Sequence, residues 1–175
     1  MQIAVAAHSG NPGTLAAGES VEFIKSLRCK NPVLILGGYW GLMKIVVDKA
    51  VKSGMTVILM LPVENENVSL PPGVLKVKTG LEYRARSVPL VRSADALVAL
   101  GGGAGTIIEV AMAYSMGKPV YVLHNSGMSS DNLRVAFPEY MDDRKNSKIF
   151  YCKSGRELAE AVCNSAGRQD VTDFG

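Results

Sequence analysis

No stretch of about 18 apolar residues runs through the chain without a charge or a glycine-rich break, so no segment is long enough to cross a bilayer as a helix. Charge of one sign is equally scarce. The 19 basic and 16 acidic residues give a formal net charge of +3 and are scattered without a long block. That balance suits a small phosphorylated ligand and gives no footing for a nucleic-acid or membrane partner. Cysteine is sparse as well. Cys29, Cys152 and Cys163 are odd in number, far apart and free of Cys-x-x-Cys spacing. This excludes a zinc site of the usual kind and reads as three reduced thiols in a cytoplasmic protein. The apolar start Ile3-Ala4-Val5-Ala6-Ala7 has no basic residue ahead of it and turns polar at His8, which reads as a first strand and not as a signal peptide.

What is present is a repeating alternation. With 47% hydrophobic residues in 175, the chain can bury one core and falls short of two ordinary domains. Short apolar runs that end in glycine are each followed by a longer helical segment, which predicts an α/β, Rossmann-like fold: an open, mostly parallel sheet of seven strands with helices on both faces. The strands are expected at Ile3–Ala7, Val33–Leu36, Thr56–Leu61, Val74–Val77, Ala96–Leu100, Val120–Leu123 and Ile149–Cys152. Helices are expected at Leu15–Leu27, Leu42–Lys52, Val88–Ser93, Ile107–Met116 and Arg156–Asn164. A single domain over residues 1–165 and a polar tail over 166–175 complete the reading.

Three strand ends run into glycine: His8-Ser9-Gly10-Asn11-Pro12-Gly13, Gly37-Gly38-Tyr39-Trp40-Gly41 and Gly101-Gly102-Gly103-Ala104-Gly105-Thr106. In an open parallel sheet these turns converge on one crevice, where glycine lets an anion reach backbone amides and the next helix offers its positive end. The plainer explanation is that glycine only tightens βα connections. Convergence of three turns favours an anion site at Gly102, Gly103, Ala104, Gly105 and Thr106, with Gly37, Gly38, Ser9 and Gly10 beside it. Two familiar phosphate motifs are missing. A dinucleotide fingerprint starting at Gly101 meets Thr106 where glycine or alanine belongs, and the only Gly-Lys pair, Gly117-Lys118, runs into Pro119 and not Ser or Thr.

Two charged residues are candidates for chemistry. Glu109 has a structural explanation, because Thr106-x-x-Glu109 has the spacing of a capping box, and a functional one, as a carboxylate beside the phosphate turn that stabilises a ribose cation or orients water. Arg86 is expected just ahead of a helix capped by Ser87, since Pro89 belongs in a first turn. It is either a solvated arginine or an anion contact. His8 and His124 end strands, yet no carboxylate or cysteine is spaced to make either a triad member or a metal ligand.

The ordered motifs Gly37-Gly38-x-x-Gly41-Leu42-Met43, Arg86, Ser93-Ala94-Asp95-Ala96 and Gly102-Gly103-Ala104-Gly105-Thr106-x-x-Glu109 resemble those of the LOG superfamily across Ile3 to Leu123. That group includes cytokinin-activating phosphoribohydrolases, proteins carrying a lysine-decarboxylase label, and molybdenum cofactor carriers. The resemblance implies Arg86 and Glu109 as catalytic residues and a nucleoside monophosphate or a phosphorylated pterin as ligand. It also implies a homodimer or homotetramer, with the apolar helix Ile107–Met116 available for the contact. Ser87 and Gly101 stand where the hydrolase branch carries lysine and proline, which is closer to the carrier-like branch. No glycine turn contains a lysine for pyridoxal phosphate chemistry, so neither reading calls for a cofactor.

Overall fold

The computed structural model describes residues 1–165, and the expected tail at 166–175 lies outside the described residues. Seven strands form one sheet: β1 (Gln2–Ala6), β2 (Val33–Leu36), β3 (Thr56–Leu61), β4 (Leu75–Lys78), β5 (Ala96–Ala99), β6 (Val120–Leu123) and β7 (Ile149–Cys152). Their spatial order is β4-β3-β2-β1-β5-β6-β7, and every pairing is parallel. The six helices are α1 (Thr14–Ser26), α2 (Gly41–Lys52), α3 (Tyr83–Arg92), α4 (Ala104–Ser115), the one-turn α5 (Leu133–Ala136) and α6 (Gly155–Ser165).

The inner strands are apolar because both faces are covered, whereas the edge strand β4 is Leu-Lys-Val-Lys and exposed along its length; within the inner strands residue size is sorted by face. In β1, Ile3 and Val5 enter the core beneath α1, α2 and α6, with Phe23, Val46 and Leu158. Ala4 and Ala6 face the second core with Leu90, Val91, Val110 and Tyr114 of α3 and α4. Ala99 of β5 lies on that same face, so α4 rests on alanines and can approach the centre of the sheet closely. From β1 the chain builds outward to β4 on one side, then returns to place β5 on the other side of β1. That reversal makes the carboxyl ends of β1 and β5 a topological switch point, where a crevice opens.

Three expectations are corrected. Helix α3 begins at Tyr83 and not at Val88, because Glu82 is its cap: the Glu82 carboxylate accepts from the amides of Arg84 and Ala85 at 2.8 and 2.5 Å. Pro89 is therefore inside the helix, and Arg86 and Ser87, expected before it, are buried residues of its second turn. The segment Ser129–Ala136, to which no element was assigned, forms a short 3-10 turn followed by α5. Cysteine is the third case. Cys29 and Cys163 are joined in a disulfide, and only Cys152 remains as a buried thiol among the described residues. An odd count requires one unpaired cysteine, and it does not require three.

Helix α6 packs against α1 at Gly155. A Cβ there would fall 2.0 Å from the Glu19 carbonyl oxygen and 2.5 Å from the Phe23 nitrogen, both backbone atoms of a neighbouring helix. The Gly155 amide also donates to the Glu19 carboxylate at 2.7 Å. Gly155→Ala is expected to lower the unfolding free energy by roughly 1–3 kcal/mol, read from the urea midpoint, because the two helices have to separate.

Candidate functional site

The crevice is assembled by backbone contacts between the glycine turns. Gly41 has φ +54, and a Cβ on it would lie 2.4 Å from the Gly10 carbonyl oxygen, so the second turn fits against the first only with glycine at this position. The Leu42 amide donates to the His8 carbonyl at 2.8 Å and locks the two turns together. The third turn is held from behind. The Gly102 amide donates to Ser130 Oγ at 3.1 Å, and the Ser130 amide returns a bond to the Gly102 carbonyl at 2.9 Å. Between the turns lies a pocket of about 480 Å³, a size ordinary for a small-molecule site.

Its charged wall comes from α3 and α4. Arg86 Nη1 lies 3.3 Å from Glu109 Oε1, and the Ser87 hydroxyl donates to that same oxygen at 2.8 Å. The side chains are 8% and 12% exposed. The Arg86 guanidinium lies flat on Gly37, where a Cβ would meet Nη1 at 2.0 Å, so glycine at the end of β2 is what gives the cation its seat. Arg86 Nε is the buried side-chain polar atom that lacks a hydrogen-bond partner among the described residues. Burial pushes the Glu109 carboxyl above its ordinary range, although Arg86 and Ser87 pull it down. Burial likewise lowers Arg86, with Glu109 opposing.

The expected capping box does not form. Gly103 is the N-cap of α4, no side chain caps that helix, and the first intrahelical bond runs from the Ile107 amide to the Gly103 carbonyl at 3.1 Å. Thr106 is thus the third helical residue and not the cap, and Glu109, a further turn along, turns to Arg86 and Ser87 instead. Ala104, Gly105 and Thr106 line the pocket at the positive end of the α4 dipole, with no side chain capping their amides. A buried arginine with a donor to spare and an uncapped helix start thus share one cavity.

A family model described as the SLOG cluster4 family matches residues 3–159. The chain belongs to the SLOG cluster4 family. The match agrees with the LOG resemblance implied by the motif order. The structural-genomics target TM1055 superposes with a TM-score of 0.82 at 30% identity, covering 92% of this chain and 97% of that one. A molybdenum cofactor binding protein of Rippkaea orientalis gives 0.77 at 23% identity over 94% and 96% of the two chains. The molybdenum cofactor carrier protein of Chlamydomonas reinhardtii gives 0.75 at 24% identity over 95% and 98%. At these last two identities the likeness is one of fold. An uncharacterised protein of Archaeoglobus fulgidus is 37% identical over 91 residues, 52% of this chain and 59% of that protein's length.

In this SLOG cluster4 chain the pocket gathers Ser9, Gly37, Arg86, Gly103, Ala104, Gly105, Thr106 and Glu109 from the expected set, and His8 with them. Gly10, Gly38 and Gly102 do not line it. Gly10 is covered by the His8 imidazole, Gly38 by the Trp40 indole, and the Gly102 amide is taken by Ser130. His124 is buried away from the pocket wall. Sequence reasoning missed Trp40, Met43, Tyr83 and Arg84 as lining residues, and Ser87 as the partner of Glu109. The signal for Tyr83 was available: in a helix capped by Glu82 it stands three residues before Arg86, on the same face, and Ser87 follows it at the i+4 position. Among the described residues no helix is long and apolar enough to cross a membrane.

Proposed function

We propose that the crevice binds a phosphorylated, nucleotide-derived ligand and hydrolyses the N-glycosidic bond of a nucleoside 5′-monophosphate, giving free base and ribose 5-phosphate. The observation that carries the binding half is that Arg86, a buried cation whose Nε has no protein acceptor among the described residues, lines the same pocket as the uncapped start of α4. An anionic oxygen held between the Arg86 guanidinium, which lines the pocket, and the helix start would be bound by both. The amides of Ala104, Gly105 and Thr106 take the phosphate. Glu109, released from capping, has one oxygen held by Arg86 and Ser87 and the other left to face a ribose. As the bond from C1′ to the base nitrogen breaks, its electron pair leaves with the base. Glu109 stabilises the positive charge on the ribose while a water oxygen closes on C1′ and gives up one proton, and the departing base nitrogen takes up one, so that one water is consumed per free base and ribose 5-phosphate.

Incubation with a panel of nucleoside monophosphates is expected to release free base. Glu109→Ala should cut release by at least 100-fold and leave ligand affinity within a few fold. Because burial raises the Glu109 carboxyl and the ionised form does the work, turnover should fall as pH drops through that raised value. Release unaffected by Glu109→Ala would overturn the assignment of the residue.

A second reading is favoured by one observation. Burial raises the Glu109 carboxyl, and the contacts that oppose it, the Arg86 cation and a neutral hydrogen bond from Ser87, leave it raised. A carboxyl held towards its neutral form suits a pocket that carries a phosphorylated pterin unchanged, which accords with the molybdenum cofactor proteins of the same fold. Mass spectrometry of ligand released from gently purified protein separates the two. An intact pterin, with no turnover on any nucleotide, selects carriage.

A further inference from the structure

The phosphate reading leaves part of the pocket lining without a role, and that part includes the only tryptophan of the chain. Trp40 is at the turn after β2 and is only half-buried, where a large apolar ring would more economically fill the core. Its position is nonetheless fixed. Three atoms of the indole lie 2.5 to 2.8 Å from where a Cβ on Gly38 would be, so the ring rests on bare backbone that only glycine provides. The indole N–H has no hydrogen-bond partner among the described residues, while Trp40 lines the pocket together with Tyr83 and the apolar side chains of Val5, Ala7 and Met43. Tyr83 is held in turn by a short hydrogen bond from the Asn65 side chain to its hydroxyl.

The spacing of the sheet relates this part of the lining to the phosphate cradle. Trp40 follows β2 and the α4 cradle follows β5, and these strands flank β1 on either side. Strands lie about 4.8 Å apart, which puts the two ends roughly 10 Å from each other. That separation matches a phosphate and a ring joined through one sugar or a short carbon chain. A rigid indole with a free N–H, facing a pocket of this length, is suited to stacking on a flat heterocycle.

We propose that Trp40 is the ring-binding residue of the pocket, and that the ligand carries a planar heteroaromatic ring as well as a phosphate. The proposal rests on the phosphate reading above and deepens it, since Trp40 would set which phosphorylated compounds are retained. Purines and pterins share the required chemistry.

Because Trp40 is the sole tryptophan, its emission reports on its own contact. The full chain is titrated with ribose 5-phosphate, adenosine 5′-monophosphate, guanosine 5′-monophosphate and 6-hydroxymethylpterin phosphate, with affinities taken in parallel by calorimetry. Ring-bearing ligands are expected to quench the emission and ribose 5-phosphate to leave it unchanged, and the tightest of the three identifies the ring. Trp40→Leu should weaken the ring-bearing ligands roughly 5- to 150-fold, the range expected of base–aromatic stacking. Affinity for ribose 5-phosphate should stay within twofold, and Trp40→Phe should recover most of the loss. Equal weakening of ribose 5-phosphate and the ring-bearing ligands, or ring-bearing ligands that bind without touching the emission, would overturn the role of Trp40 and leave the phosphate site standing. Failure of all four to bind would instead overturn the phosphate site, and the ring proposal with it.

Discussion

Arg86→Ala is expected to weaken binding of ribose 5-phosphate and of nucleoside monophosphates by roughly 30-fold or more, the loss that follows when one member of a buried charged contact is truncated. The size comes from where the guanidinium sits. It is fixed on Gly37 on one side and against Glu109 on the other, and its Nε has no protein acceptor, so little of its donor capacity is spent within the protein. Arg86→Lys should recover only part of the affinity, because an ammonium cannot hold Glu109 and an anion with the same planar fork. Calorimetric titration with ribose 5-phosphate checks both variants. Unchanged affinity in Arg86→Ala would remove the arginine from the site.

The same substitution has a signature in stability. Without Arg86 the Glu109 carboxyl keeps its burial, opposed only by the Ser87 hydroxyl and the Arg84 charge, so it is pushed further above the unfolded value of about 4.3 than it already is. In the window between those two values the folded state holds a proton that the unfolded state has released. The stabilisation is then complete below about pH 4 and is lost as pH rises through the folded-state value. Thermal unfolding of Arg86→Ala measured from pH 4 to 8 should therefore show a steeper fall toward neutrality than the parent, and Arg86→Ala combined with Glu109→Gln should abolish that extra slope. A buried ion pair can be removed whole with little effect, whereas removing one side leaves a charge that has to be neutralised.

The elements that the sequence announced were those with a single physical cause. Buried parallel strands need apolar runs, and the inner strands were visible because little else in a sequence looks like Val33-Leu-Ile-Leu36 followed by two glycines, while the exposed edge strand β4, Leu75-Lys-Val-Lys78, has no such run. The site was legible to the extent that the turns following β1, β2 and β5 had to meet at one edge of the sheet. What escaped notice depended on competition between local signals. Both Ser87 and Thr106 have capping chemistry, and both lost that role to the residue whose backbone was better placed, Glu82 in one helix and Gly103 in the other. Glu109 was then available for the tertiary contact that defines the pocket. The Ser130 brace behind Gly102 and the placement of Trp40 over Gly38 join residues whose pairing no periodicity encodes.

The disulfide belongs to that same class, and it predicts the largest change in stability. Cys29 lies between α1 and β2 and Cys163 near the end of α6, 134 residues later. Their bond fastens the last described helix to the first. In the chain-entropy account a loop of that length removes enough freedom from the unfolded chain to stabilise the folded state by on the order of 5 kcal/mol. For a domain of this size that corresponds to a fall in Tm of roughly 10–20 °C when the bond is absent. Cys29→Ser, Cys163→Ser and reduction of the parent protein should each produce the same shift, and reductant should add nothing to either variant. Cys152 provides the control. Burial raises its thiol to about 12, so it stays protonated and unreactive, and Cys152→Ala should leave the response to reductant intact. A parent protein whose Tm ignores reductant, or which yields three free thiols when denatured without it, would overturn the bond. Because α6 meets α1 at Gly155 and the crevice lies at the carboxyl ends of β1, β2 and β5, breaking the bond should loosen the helix pair while leaving the affinity of the pocket for ribose 5-phosphate unchanged at temperatures where the fold persists.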